Sequence, residues 1–337
     1  MKNGMSIREV AKRARVSTAT VSRTINNSGL VDPDTAARVM QAVQELNYFP
    51  DTHARALVSG RSRILGLIVS DITNPFFPEL VKGFEDIAVR QGYEILVSST
   101  NYDTSRMELS VRRMLERKVD GIAMMTSEHD EPLIEQLATR RVPVVFLDVG
   151  PARKHFRNIE VDYARGISEG LDHLISLGHR RIAFISGPQG LPSAQTRCEA
   201  FMHHLEERGV DCNECVIVAG DHTVDGGLAT MEALLAREVR PSAVMASNDL
   251  SAIGALRAVH RAGLQVPKDI SVIGFDDIHL AEFTEPPLTT IRLSRTEVAE
   301  WAVSWLLDEI AHRGMEDRSW PAIETRLVLR QSTAPVR

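Results

Sequence analysis

From Arg63 onward, short and nearly continuous apolar runs alternate with amphipathic stretches. The runs are Ile64–Ser70, Tyr93–Ser99, Gly121–Met125, Val142–Asp148, Arg181–Gly187, Cys215–Gly220, Ala243–Ser247 and Ser271–Asp276. They are rich in β-branched residues, the pattern of strands buried on both faces of a parallel sheet. Between them, apolar positions spaced by three and four predict helices near Pro78–Gln91, Ser105–Arg117, Glu131–Thr139, Tyr163–Leu177, Ser193–Arg208, Val224–Ala236, Leu250–Ala262 and Thr296–His312. Strand–helix alternation predicts doubly wound parallel α/β sheets, and this many units fit two sheets better than one. The natural division falls near Asp162.

The first 57 residues follow a different rhythm. Ser6 with Glu9 has capping-box spacing, and Ile7, Val10, Ala11 and Ala14 share one helical face. Ser17 offers a second N-cap, followed by Thr20, Val21, Thr24 and Ile25 at spacings of three and four. Asp32-Pro33-Asp34 supplies a cap, a proline at the first helical position and an acidic first turn. A third apolar stripe runs through Ala36, Val39, Met40, Val43 and Leu46. Three short helices around one small core predict an all-α helix-turn-helix unit. Thr18, Ala19, Ser22 and Arg23 fall on the outer face of the second helix, where short or cationic groups suit base edges and phosphates. The segment Asp51–Leu57 is a helix candidate too short to be stable alone in water. Its apolar tip, Leu57, suits a wedge between base steps in a minor groove.

Charge sharpens this division. Residues 1 to 62 carry nine Lys/Arg against five Asp/Glu, a net +4, while the remainder carries thirty against forty, a net −10. A basic head on an acidic body fits a polyanion-binding module attached to something else. A head this modestly basic binds DNA weakly as one copy, so two copies per site are expected. At 337 residues, two or three domains are expected. There is no apolar run long enough to span a bilayer and no secretory signal, so a cytoplasmic protein is expected.

The motifs weigh against an enzyme. There is no GxGxxG after a strand, no GxxxxGK[ST] and no G-x-S-x-G elbow. Adjacent Asp276 and Asp277, leaving a strand, are expected to point apart rather than act as an acid–base pair. Of the three cysteines, Cys212 and Cys215 form a single C-x-x-C near His203 and His204, which is weak as a metal signal, and no metal or cofactor is expected.

Ligands of open α/β sheets bind beyond the carboxyl ends of the strands. The polar groups there are Asp71, Asn74, Asn101, Thr126, Asp148, Asp162, Ser186, His222, Asn248, Asp249, Asp276 and Asp277. Phe76 and Phe77 follow the first strand, and Arg197 opens the helix after Ser186. Carboxylates, an amide, one arginine and aromatic rings suit a sugar or polyol, whose hydroxyls pair with them and whose apolar face stacks on rings.

The pattern VSTATVSR, the run D-P-D-T into LNYFP, and the later VDGI, LISLGHRRIAFISG, SNDLSAIGAL, VPKDISVIGFDD and PPLTTIRL resemble the LacI/GalR family of bacterial transcription regulators over nearly the whole chain. The resemblance implies a helix-turn-helix domain over 1–50, a hinge helix and linker over 51–62, and a periplasmic-binding-protein-like effector and dimerisation domain over 63–337. The N-subdomain would hold about 63–162 and 292–322, the C-subdomain about 163–291 and 323–337, joined by three crossovers. It implies a dimeric repressor of carbohydrate genes on a palindromic operator, with DNA contacts from Ser6, Ser17, Thr18, Ala19, Thr20, Ser22, Arg23, Asn26, Asn27, Tyr48, His53, Ala54 and Leu57. No heptad tail of the kind that makes tetramers in one branch of the family is expected, so a dimer is expected. The body is also similar to ribose- and galactose-type sugar-binding proteins, in which two adjacent Phe sandwich the sugar. The implied effector set is Asp71, Asn74, Phe76, Phe77, Thr126, Asp148, Arg197, His222, Asn248 and Asp276. Two positions depart from the family: Arg15 stands where a glycine is usual, and His222 where an aromatic ring is common. A sugar receptor and an α/β enzyme using the same cleft are the alternatives, and neither has a use for the N-terminal head.

Overall fold

The computed structural model describes residues 6–25, 30–49, 60–126, 131–148, 154–210, 215–311 and 321–336. The chain divides into two compact units, Met1–Ser62 and Arg63–Arg337.

The first unit contains α1 (Ile7–Ala14), α2 (Thr18–Ile25) and α3 (Pro33–Glu45). The Glu9 carboxylate accepts from the Ser6 N–H at 2.6 Å, closing the capping box of α1. The Ser17 hydroxyl accepts from the Thr20 N–H at 3.1 Å and starts α2. Asp32 caps α3 through the Thr35 N–H at 3.1 Å. Val10, Ala11, Ala14, Val21, Val39 and Ala42 form the core, with Ile7, Val16, Ile25, Val43, Leu46 and Tyr48 packed against it. Met40, expected in the apolar stripe of α3, is 45% exposed because Val39 and Val43 already fill that face. Arg15 ends α1 in the left-handed conformation (φ 55°) and returns its N–H to the last carbonyls of the helix, the role for which a glycine is usual.

The second unit holds two parallel sheets flanked by helices. The first has the order β2-β1-β3-β4-β5, from β1 (Ile64–Val69), β2 (Glu94–Ser99), β3 (Gly121–Met125), β4 (Val144–Leu147) and β5 (Phe156–Ile159), all parallel. Helices α4 (Phe76–Arg90), α5 (Thr104–Glu116) and α6 (Glu131–Thr139) connect its strands. Side chains alternate across the pleat: Leu65, Leu67 and Ala123 enter one core, whereas Ile68, Ile122 and Met124 enter another with Met107 and Met114 of α5. The expected burial on both faces holds for β1 and β3 but not for β2, which is an edge strand with a half-exposed pattern.

A short strand, β6 (Val161–Asp162), leads into α7 (Tyr163–Ser176) and the second sheet. That sheet is built from β7 (Ile182–Ser186), β8 (Val216–Ala219), β9 (Ala243–Ala246), β10 (Ser271–Asp276), β11 (Thr289–Arg292) and, after the return described below, β13 (Arg326–Val328). Its order is β13-β11-β10-β9-β7-β8, with β13 antiparallel to β11. Its helices are α8 (Pro192–Glu207), α9 (Val224–Leu235) and α10 (Asp249–Arg261). After β11, α11 (Arg295–Ile310) packs on α4, β3 and β4 of the first sheet. The chain then returns through β12 (Ile323–Glu324), which pairs with β6, and β13. Three segments therefore pass between the sheets among the described residues, around 159–163, 292–295 and 323–326.

Candidate functional site

Between the two sheets, at the carboxyl ends of their strands, lies a narrow cleft that opens to solvent. The first sheet contributes Ser70, Asn74, Phe76, Phe77, Tyr102, Met125, Thr126, Leu147 and Asp148. Tyr163, Leu191, Ser193, Arg197, His222, Asn248, Asp276 and the crossover residue Leu293 close it from the other side.

Arg197 is its electrostatic centre. One guanidinium nitrogen donates to the Ser247 carbonyl at 2.5 Å and lies 3.7 Å from the Asp276 carboxylate. The planar cation sits 4.1 Å from the Phe275 ring centroid and 4.9 Å from that of Tyr163, so aromatic faces supply part of its neutralisation. Its Nε is buried without a partner among the described residues. Asp276 is 5% exposed, and among the described residues no donor hydrogen-bonds its carboxylate. Burial pushes its pKa up to about 6, against the pull of Arg197 and Arg295. Asp148 is likewise raised by burial, with Tyr163 and Arg197 drawing it back down. His222 is held neutral, its pKa lowered to about 3 by burial and by Arg197. Its Nε2 pairs with the Ser247 hydroxyl at 2.9 Å, and its ring lies so close to Gly187 that a Cβ there would fall 2.0 Å from Nε2.

Asn248 caps α10 through the Ser251 N–H at 2.9 Å and donates to the His222 carbonyl at 2.9 Å, which leaves one amide hydrogen for the cleft. Phe76 and Phe77 stand edge-to-face with centroids 5.3 Å apart, and Phe76 also packs into the core. Asn74 turns its side-chain oxygen to the Phe76 N–H at 3.1 Å and so shapes the entry to α4.

Of the ten effector positions expected from sequence, the cavity brings together nine: Asn74, Phe76, Phe77, Thr126, Asp148, Arg197, His222, Asn248 and Asp276. Asp71 does not line it, because its carboxylate is bent back onto the N–H and hydroxyl of Thr73 at 2.8 and 2.7 Å. Other strand-end groups are engaged structurally. Asp162 caps α7, and Asp249 holds the Ile278 N–H and the Thr290 hydroxyl. Asp277 pairs with Arg292 and Arg330, away from Asp276, which removes the acid–base pair. Tyr163 is the main lining residue that the strand-end rule missed: it opens a helix directly after a crossover rather than following a strand of either main sheet.

On the helical unit, Ser17, Thr18, Ala19 and Arg23 are exposed, while Thr20 and Ser22 are half-buried. Ser6 is exposed, but its hydroxyl donates to Glu9 at 3.1 Å, and Tyr48 leans on the helical core. Asn26, Asn27, His53, Ala54 and Leu57 lie outside the described residues, as does Cys212. His203 and His204 face Glu207 at 3.3 and 2.7 Å, whereas the Cys215 thiol lies 3.7 Å from the Arg180 carbonyl.

Comparison with known proteins places these features in context. Residues 6–51 match the family described as bacterial regulatory proteins, lacI family, and residues 171–333 match a periplasmic binding protein-like domain. The HTH-type transcriptional repressor PurR of Pasteurella multocida is 35% identical over 328 residues, 97% of this chain and 98% of that protein. The ribose operon repressor of Escherichia coli K12 is 35% identical over 316 residues, 93% of this chain and 95% of its own. A crystal structure of the Lac repressor dimer bound to operator and the anti-inducer ONPF superposes with a TM-score of 0.87 at 28% identity, over 98% of this chain and 100% of that one.

Proposed function

This chain belongs to the lacI family of bacterial regulatory proteins, and from that premise we propose that its cleft takes an uncharged sugar or polyol as the effector of a DNA-binding repressor. Such a protein is a transcription regulator and not an enzyme. The observation that carries the sugar reading is Asp276: a buried carboxylate that accepts no hydrogen bond among the described residues, 3.7 Å from Arg197, in an aromatic-walled cavity. A hydroxyl can donate to Asp276 while accepting from a second donor, so a polyhydroxylated ligand repairs the deficit. Two carboxylates, Asp148 and Asp276, face one guanidinium, which disfavours a phosphate or sugar acid. The E. coli relative is named for a ribose operon, in keeping with this chemistry.

On this reading 1–50 reads DNA, 51–62 is the hinge, and 63–337 binds effector and dimerises. Within the last, the subdomains are about 63–162 with 292–322, and 163–291 with 323–337. Thr18, Ala19 and Arg23 read base edges, with Ser17 and Ser22 on phosphates, and two copies meet a palindromic operator. No described helix is long and apolar enough to cross a membrane, and we place the protein in the cytoplasm with its operator.

The test is a thermal-shift screen of the full chain with D-ribose, other pentoses and hexoses, polyols, ribose 5-phosphate, gluconate and a purine. A ligand at a hundredfold its Kd stabilises by about 2.7 kcal/mol. A shift with neutral sugars that is lost in Arg197→Ala supports the reading. A response to the phosphate or the purine alone overturns it and leaves the DNA-binding assignment intact.

A further inference from the structure

The carboxylate that faces the cleft is connected to the opposite subdomain through one side chain that does not line the cleft. Arg295, at the start of α11, donates to the carbonyls of Asp276 and Asp277 at 2.7 and 2.8 Å. Both of those residues have positive φ, 108° and 56°, so Arg295 clamps the strained turn that aims the Asp276 carboxylate. The same guanidinium reaches Glu79 at 3.0 Å, in the first turn of α4, and lies 6.0 Å from the ring of Phe76. Glu79 in turn accepts from the backbone N–H of His279 at 3.0 Å, again in the turn after β10. Helix α4 begins with Phe76 and Phe77, which wall the cleft from the first sheet. The two groups also act on Asp276 electrostatically, Arg295 lowering its pKa and Glu79 raising it.

We propose that Arg295 is a positioning residue that couples the effector carboxylate to the angle between the subdomains, with Glu79 as its counterpart on α4. A ligand hydrogen-bonded to Asp276 bears on a turn whose two carbonyls are held by Arg295. Any rearrangement of that turn is therefore transmitted to the Glu79 carboxylate and the helix that carries it. The reverse also holds, because linkage is reciprocal: movement of α4 alters the setting of Asp276. The regulatory meaning of the relay rests on the cleft being the effector site; its mechanical content does not.

The relay is tested on the full ligand-free chain by hydrogen exchange in Glu79→Ala and Arg295→Met, with the thermal midpoint as a fold control. The informative amides are those whose own bonds lie inside one subdomain: Ile278, which donates to Asp249 at 2.9 Å, and Glu79, which donates to Pro75 at 3.2 Å within α4. The expected result is reciprocal: Glu79→Ala speeds exchange at Ile278, and Arg295→Met speeds exchange in the first turns of α4, each about tenfold. An unchanged Ile278 amide in Glu79→Ala, or unchanged exchange in α4 in Arg295→Met, overturns the relay. If Arg295→Met does not fold, the Ile278 amide in Glu79→Ala decides alone. D-ribose binding by the unmodified protein is measured in parallel. Its absence counts against the sugar reading, while the exchange result still decides the relay.

Discussion

Replacing Asp276 with asparagine isolates the cost of keeping a buried carboxylate in the cleft. Burial moves its pKa from 3.8 to about 6, two units that correspond to roughly 3 kcal/mol at about 1.36 kcal/mol per unit, an upper bound. The folded state holds this proton more tightly than the unfolded state. The penalty therefore stands in full above pH 6 and is relieved as pH falls from about 6 toward 3.8. Asparagine keeps the shape, carries no charge and tolerates the positive φ of 108° better than most residues. At pH 7.5 the ligand-free Asp276→Asn protein is expected to melt about 5 °C higher, at some 2 °C per kcal/mol for a unit of this size. At pH 5, midway between the two values, the gain should fall to about half. His222 titrates with the opposite sign: its folded pKa of about 3 lies below the usual 6.5, so its contribution is lost as pH falls through that range. Comparing mutant with parent at each pH cancels that term. Differential scanning calorimetry at the two pH values, with D-ribose titrations alongside, is the assay. A mutant that is no more stable than the parent at pH 7.5, or whose gain persists undiminished at pH 5, would refute the reasoning.

The remaining predictions address the reader unit and the cleft wall. Arg15→Gly should stabilise the helical unit by about 0.5–1 kcal/mol, read by chemical denaturation, because it relieves a left-handed arginine at φ 55°. Val21→Ala empties the centre of a core with six buried side chains among the described residues, so it should cost about 2 kcal/mol and weaken operator binding while leaving sugar binding unchanged. Leu57→Ala should weaken binding to a duplex selected by the wild-type protein, measured by fluorescence anisotropy, and unchanged affinity would remove the wedge role. His222→Phe leaves the buried Ser247 hydroxyl without its partner and should cost about 1–2 kcal/mol of stability, shifting ligand preference toward less polar sugars in the same thermal screen.

The alternation of strands and helices was legible because β1, β3, β7, β9 and β10 are buried on both faces, which forces continuous apolar runs. Strand β5 escaped notice for the converse reason: Phe156–Ile159 is an edge strand whose middle residues are Arg157 and Asn158, and only its ends are buried. The caps of α1, α2 and α3 could be read from Ser6, Ser17 and Asp32, because capping is local chemistry. Most of the cleft was legible from one rule, that polar groups follow the carboxyl ends of parallel strands. That rule cannot tell a side chain aimed at the cleft from one consumed by its own turn. Asp71, bonded to Thr73, and Asp249, bonded to Thr290, are the cases where it over-reaches. Tyr163 and Arg295 were invisible to it, since both start helices at crossovers and their positions depend on which sheets the chain visits next.

Backbone geometry gives an independent argument for the proposed cleft residues. Asp148, His222 and Asp276 adopt φ values of 73°, 63° and 108°, a region where non-glycine residues are disfavoured by about 1–3 kcal/mol. Each sits at or just beyond the end of a strand, where a left-handed residue turns the chain sharply and leaves its own side chain facing the cavity. Glycine would make each turn at less cost, but it would bring no carboxylate or imidazole. Stability alone would therefore favour glycine at all three positions, and burial adds a second cost at Asp148 and Asp276 by raising both carboxylates. Two separate penalties, one of backbone and one of solvation, thus fall on the two carboxylates that face the same cavity. A ligand that supplies hydrogen bonds to Asp276 and Asp148 offsets the solvation penalty, and it does so more fully in whichever conformation brings both carboxylates to it. That differential is what an effector needs in order to move an equilibrium between two conformations.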